Sequence, residues 1–142
     1  MDDLEAIRQL KARYFRTMDT KDWEAMRQVF ADDVVVDTTA SGGERITGGD
    51  RFLAYLQGVI GDAVTVHHGH MPEIELTSPT TATGVWALHD LVVWPTGARM
   101  EGYGHYHETY GKVDGEWRIT SSTLTRLSME LSDSGRRDGP PG

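Results

Sequence analysis

The hydrophobic period of this chain changes once, just after Gly61, and that change restricts the fold more than any other feature of the sequence. Up to Gly61 apolar residues recur at steps of three and four; from Ala63 onward they alternate at steps of two. The first spacing lines up one stripe of a helix and the second lines up one face of a strand. Helices first and a meander afterwards describe an α+β domain.

Leu4, Ile7, Leu10, Tyr14 and Met18 form the apolar stripe of a first helix. A second helix is expected after Asp19-Thr20, carrying Trp23, Met26, Val29 and Phe30, with Asp19 or Thr20 suited to cap it. Val34-Val35-Val36 is strand-like, and Arg45-Ile46 lies between glycine turns. Asp50 is expected to cap a third helix, whose Phe52, Leu53, Leu56, Val59 and Ile60 share a face before Gly61 stops it. Turn signals at Thr77-Ser78-Pro79, Pro95-Thr96-Gly97 and Asp114-Gly115 then divide the rest into four consecutive antiparallel strands, 63–76, 81–94, 99–112 and 116–127. Strands of this length are expected to curl.

A chain of 142 residues supports one core and not two. Residues 1–131 are therefore expected to form one domain, and 132–142, rich in glycine, proline and charge, a disordered tail. The net charge of −8 and pI near 5.1 argue against a nucleic-acid partner, which is usually held by clustered Lys and Arg. With no cysteine, disulfides and thiolate metal sites are excluded. The start lacks the basic and apolar regions of a signal peptide, and no stretch approaches the ~18 apolar residues of a membrane span. A soluble, cytoplasmic protein with no membrane partner is expected.

Several residues stand out chemically. Alternation puts Asp90 on the same strand face as Trp86, Leu88, Val92 and Trp94, where a carboxylate is costly unless partnered. Its other reading is an exposed face at a sheet edge. Asp19 reads as a helix cap, and Tyr14 as a core tyrosine whose hydroxyl needs one partner. Histidine is the side chain whose ordinary pKa suits proton transfer near neutrality, and three of the six lie in Val66-His67-His68-Gly69-His70. His68 with His70, and His105 with His107, each share a face and could join Glu73 around a metal in a pure β-barrel. Three N-terminal helices have no place in such a barrel, so no metal site is assigned.

The run Leu4-Glu5-Ala6-Ile7-Arg8-Gln9-Leu10-Lys11-Ala12-Arg13-Tyr14-Phe15-Arg16, with Met18-Asp19-Thr20-Lys21-Asp22-Trp23 after it, resembles the opening of SnoaL-like members of the nuclear transport factor 2-like superfamily. The resemblance continues through 66–74, 81–86 and 112–119 and covers the chain to about Leu131. Bile-acid 7α-dehydratases are similar, scytalone dehydratases less closely so. By that resemblance the functional positions of the bile-acid enzymes fall on Tyr14, Asp19, His67 and Asp90. Scytalone dehydratases match at Asp19 and His67 but carry a tyrosine where this chain has Met18, and a second histidine where it has Trp86.

The resemblance implies a cone-shaped α+β barrel, with three N-terminal helices packed on a strongly curved, mostly antiparallel sheet around an apolar pocket. Trp86, Leu88, Phe52, Leu56, Tyr106 and Trp94 are its expected walls. It further implies a cofactor-independent dehydratase acting on a hydrophobic, polycyclic or steroid-like hydroxy-ketone or enone, a small aromatic polyketide being the other substrate class. In that scheme His67 takes a carbon-bound proton and Asp19 holds its tautomer, while Tyr14 and Asp90 handle the oxygen. An isomerase or polyketide cyclase using the same pair, and a non-catalytic binding or assembly module, are the alternatives. A homo-oligomer, a trimer before a dimer, is implied, with Tyr103, His105, His107 and Leu124 as a candidate interface.

Simple alternation disagrees with one of these assignments. Through an unbroken strand 63–76, His67 would face away from Val64, Val66, Ile74 and Leu76, favouring His68 or His70 for the pocket. A bulge near Gly69 or Pro72 would reverse the parity between the two halves, and the resemblance selects His67.

Overall fold

The computed structural model describes residues 1–133, so the expected tail, past its first two residues, lies outside the described residues. Helix α1 (Asp3–Asp19) starts at Asp2, whose carboxylate accepts the Glu5 amide hydrogen. A single turn of helix, α2 (Trp23–Arg27), follows, then strand β1 (Phe30–Asp37), a 3-10 turn at Thr39–Ser41, and β2 (Arg45–Thr47). Helix α3 (Gly49–Ile60) leads into four long strands, β3 (Val64–Ser78), β4 (Thr81–Val93), β5 (Arg99–Val113) and β6 (Glu116–Ser132). Among the described residues no helix is long and apolar enough to cross a membrane.

Local corrections have local causes. The cap of α2 is Asp22, which accepts from the Ala25 amide, not Asp19 or Thr20. The short helix ends before Val29, and Phe30 opens β1 instead of closing α2. Gly48, not Asp50, precedes α3; the Asp50 carboxylate bonds Arg27 at 2.7 Å.

The six strands form one sheet in the order β2-β1-β6-β5-β4-β3. β3 to β6 are an antiparallel meander as expected, and β1 joins β6 in parallel, which makes the sheet mixed. The expected cone-shaped, strongly curved barrel is not formed. Among the described residues β2 and β3 remain as free edges, whereas a barrel needs its first and last strands bonded to each other. Nor is the sheet strongly curled: its β4–β5 ladder runs through every residue of β4 in unbroken register, and the slips lie in the ladders on either side of it.

The helices cover one face of this open sheet. Ile7, Leu10, Tyr14 and Met18 of α1 are buried against Trp86, Leu88, Tyr106 and Tyr110 of β4 and β5, and Phe30, Val34, Phe52 and Leu53 extend the core toward α3. The opposite face shows His68, Tyr103, His105 and His107, which alternate with buried neighbours. Leu124 is not among them: it faces the core beside Tyr106, so it leaves the expected interface. Among the described residues no group of three or more His, Cys, Asp or Glu is disposed to hold a metal ion.

One consequence of this core is a dependence of stability on alkaline pH. Burial pushes the phenols of Tyr14, Tyr106 and Tyr110 well above the ordinary tyrosine range. An unfolded chain releases those protons near pH ~10 and the folded one keeps them, so their stabilisation is full below pH ~10 and is lost above it. Lys11 works in the opposite sense: burial, opposed by Glu108, pushes it down to about 8. The unfolded chain holds that proton up to pH ~10.4, so stability rises with pH between the two values. Thermal unfolding is therefore expected to show Tm climbing gently from pH ~8 to ~10 and then falling steeply, with three tyrosinates appearing only on unfolding. A steady decline from pH ~8 would contradict this.

Candidate active site

Asp19 is the last residue of α1, and Thr65 and His67 stand on the inner face of β3 beneath it. One carboxylate oxygen of Asp19 lies 2.8 Å from His67 Nδ1 and accepts the Thr65 hydroxyl at 2.9 Å. The other accepts the backbone N–H of His67 at 2.9 Å. An ionised carboxylate only accepts, so Nδ1 carries the hydrogen, and in the neutral ring Nε2 is left with its lone pair. That choice of tautomer is what a base on Nε2 requires.

His67 faces inward with Ala63 and Thr65, and β3 changes parity only beyond it. Thr65 and His67 are buried while Val64 and Val66 are exposed, and the β3–β4 register slips between His70 and Glu73, where Met71 has φ of 38°. Beyond the slip Ile74 turns inward, so the apolar residues of the two halves do not share a face.

Directly across the ladder from His67 is Asp90 of β4, whose Oδ2 lies 3.9 Å from His67 Nε2. Asp90 is buried at 4% exposure, which removes the exposed-edge reading. Its partner is Arg126 of β6, whose two terminal nitrogens each donate to one carboxylate oxygen, at 2.7 and 2.9 Å. The guanidinium reaches Asp90 by crossing β5 at Gly102, where a side-chain carbon would overlap it. Its Nε donates to Ser41 Oγ at 2.7 Å, so the same arginine ties the 3-10 turn to the sheet.

Two phenols complete the group. Tyr14 and Tyr106 pack edge to face with ring centres 5.7 Å apart, and their raised pKa values keep both as hydrogen donors at neutral pH. Beneath them the Lys11 ammonium sits 3.7 and 3.6 Å from the two ring centres and 2.8 Å from Glu108. Glu108 also accepts the hydroxyls of Tyr110 and Ser122 at 2.8 and 2.9 Å. A fully buried ion pair therefore floors the site.

His67, Asp90, Tyr14 and Tyr106 open on a cavity of about 120 Å3 whose apolar walls include Phe52 and Leu56. Asp19 stands behind the imidazole and does not line it. Of the other expected walls, Trp86 donates to the Tyr110 hydroxyl at 2.9 Å, Trp94 donates to the Val59 carbonyl at 2.8 Å, and Leu88 is buried in the core; none of the three lines the cavity. A wider open hollow of about 540 Å3 between α1, α2 and the β5–β6 turn shares no residue with it.

Arg126, Thr65 and Lys11 escaped the sequence reading. The need of a buried Asp90 for a cation was the signal for Arg126, but the register slip between Thr109 and Tyr110 disguised it. Trp117 and Ile119 face inward at odd positions, and after the slip Ser122, Leu124 and Arg126 do so at even ones.

A helix-covered open sheet with a buried histidine between two aspartates defines a small α+β protein of enzyme-like construction. Residues 1–123 match the SnoaL-like domain, and the chain belongs to that family, within the nuclear transport factor 2-like superfamily. A probable cyclase of Gibberella zeae is 25% identical over 141 residues, covering 88% of this chain and 91% of that protein. Two solved structures from Novosphingobium aromaticivorans share the fold. One, provisionally named an aromatic ring hydroxylase, has a TM-score of 0.83 at 22% identity and covers 94% of this chain and 96% of its own. The other, provisionally named a scytalone dehydratase, has a TM-score of 0.81 at 23% identity, with coverage of 96% and 95%. Their different names illustrate that this fold does not by itself fix a reaction.

Proposed function

We propose that this protein is a cofactor-independent dehydratase in which His67 removes a proton from carbon beside a carbonyl and a hydroxyl leaves the neighbouring carbon as water. The observation that carries the reading is the 2.8 Å contact of Asp19 with His67 Nδ1, which leaves Nε2 bare at the edge of a partly open, mainly apolar cavity. Asp19 fixes the tautomer and stabilises the imidazolium that forms when Nε2 takes the proton. Asp90, 3.9 Å from Nε2, faces the new N–H and adds to that stabilisation while Arg126 keeps its charge compensated. Tyr14 and Tyr106 donate to the carbonyl oxygen as negative charge develops there. The imidazolium then returns its proton to the departing hydroxyl, so the enzyme ends as it began.

The cavity also bears on the substrate. About 120 Å3 is close to the ~150 Å3 of a cavity that holds benzene and below the ~300 Å3 where pockets for drug-sized ligands begin. Of the two substrate classes that the family resemblance implies, the polycyclic or steroid-like and the small aromatic, this volume favours the second. A hydroxy-ketone or enone on a single ring is the preferred ligand.

The second reading, a cyclase using the same base, is favoured by the name of the Gibberella zeae relative. Product mass separates them. Purified protein incubated with a panel of one-ring β-hydroxy-ketones is expected to yield product lighter by one water. Turnover at unchanged mass would replace dehydration by cyclisation or isomerisation. Absence of turnover with saturable binding would favour the binding module.

A further inference from the structure

We propose that Lys21 is a positioning residue which, acting through Thr65, weakens the hold of Asp19 on the His67 proton and so sets how readily His67 becomes charged. The proposal rests on the reading of His67 as the base, and it concerns a residue that touches neither the imidazole nor the cavity.

A chain of three contacts motivates it. The Lys21 ammonium donates to Thr65 Oγ1 at 2.9 Å, the Thr65 hydroxyl donates to Asp19 Oδ1 at 2.9 Å, and the same oxygen faces His67 Nδ1 at 2.8 Å. Thr65 is buried at 4% exposure and Lys21 is half-buried beside it. Donation from the lysine polarises the threonine hydroxyl, which makes it a stronger donor to Asp19. Partial burial pushes the Lys21 ammonium down and the Asp19 charge draws it back up, which is the same coupling seen from the lysine. The other charged or titratable groups around His67 are Asp90 of β4, neutralised by Arg126 of β6, and the phenols Tyr14 of α1 and Tyr106 of β5. Lys21 is therefore the one cation among these groups that acts on the Asp19 side of the ring.

The backbone makes a second, independent argument. Lys21 has φ of 61°, in the left-handed region. It closes α1 with the Asp22 amide on the Thr17 carbonyl at 2.8 Å and its own amide on the Met18 carbonyl at 3.2 Å. This paired arrangement after a helix normally takes glycine, because a β-carbon is strained there. The fold alone would be better served by glycine. What lysine adds at this position is the side chain that reaches Thr65.

The test reads the His67 ring directly, by NMR titration of its carbon-bound hydrogens, and needs no substrate. Removing the cation leaves Asp19 holding the Nδ1 proton more tightly, so the imidazolium is favoured and the midpoint moves up. Lys21→Met and Lys21→Gly are each expected to raise it by about half a pH unit, a roughly threefold gain in proton affinity, and Lys21→Arg to keep it within about 0.1 unit. In a Thr65→Val background the same Lys21→Met change is expected to move it by less than about 0.1 unit. Lys21→Gly is expected to melt roughly 3 °C above Lys21→Met, since both lack the charge and only glycine relieves the strain. An unmoved midpoint in Lys21→Met, an equal shift with and without Thr65, or a glycine variant less stable than the methionine one would each overturn the proposal. If the midpoint moves but the acid limb of kcat/KM does not, the coupling stands and it is the reading of His67 as base that fails.

Discussion

Replacing His67 by alanine is expected to lower kcat/KM about a thousand- to ten-thousand-fold on any substrate the parent dehydrates, with little change in Tm. Asp19 keeps two of its donors in that variant, the Thr65 hydroxyl and the backbone N–H of residue 67, so the local fold has reason to persist. Asp19→Asn is expected to cost about a hundred- to ten-thousand-fold, because an amide can donate to Nδ1 and so turn the Nε2 lone pair into an N–H. Since Asp19 acts through His67, the double variant should be no slower than His67→Ala alone. Initial rates across the four proteins, with circular dichroism to check folding, decide the matter. Full turnover in both single variants would remove the pair from the chemistry.

Lys11→Met is expected to have the largest effect on stability. Lys11 and Glu108 are both fully buried and 2.8 Å apart, so removing the ammonium strands a carboxylate under the floor of the cavity. Breaking such a pair from one side costs about 3–5 kcal/mol. For a chain of this size that lowers Tm by roughly 10 °C or more. Glu108→Gln added to Lys11→Met should recover more than half of the loss, because the glutamine is neutral, its oxygen can receive the Tyr110 hydroxyl, and its amide can donate to a Ser122 hydroxyl that turns to accept. Urea unfolding at neutral pH measures both. A single variant within about 1 kcal/mol of the parent would mean that the charge is solvated or already neutralised.

The main local elements of this fold were legible in the sequence, though not the caps of α2 and α3 or the end of α2, and the non-local pairing was not. The stripe Leu4, Ile7, Leu10, Tyr14, Met18 and the turns at Pro95-Thr96-Gly97 and Asp114-Gly115 act within a few residues, and α1 and the meander formed where they pointed. The joining of β1 to β6 carries no such mark, because the pairing of Val35 with Ser121 is decided across more than half the chain. The cone-shaped, strongly curved barrel was an expectation from the family resemblance, and the open strand order from β2 to β3 corrects it. In the site, alternation placed Asp90 on the face with Trp86 and Leu88, which is where it lies. It misdirected His67, because Val64 and Val66 face outward despite being apolar, and the slip between His70 and Glu73 puts Ile74 on the face opposite to theirs. Asp19 could not be separated from a helix cap until Asp22 was seen to hold that place and leave the Asp19 carboxylate free for His67.

The parallel seam between β1 and β6 also orders events in time. β1 is made early, yet its long-strand partner is the last strand of the meander, so it must wait for Glu116–Ser132. Until β6 docks, Asp90 lacks the guanidinium that compensates it and both β1 and β5 present an open edge. The contact between α1 and β3 that joins Asp19 to His67 can form sooner, from the first half of the sequence. On a ribosome the two halves of this site would thus mature separately: the histidine pair once β3 has been made, the arginine clamp only after β6 has followed it.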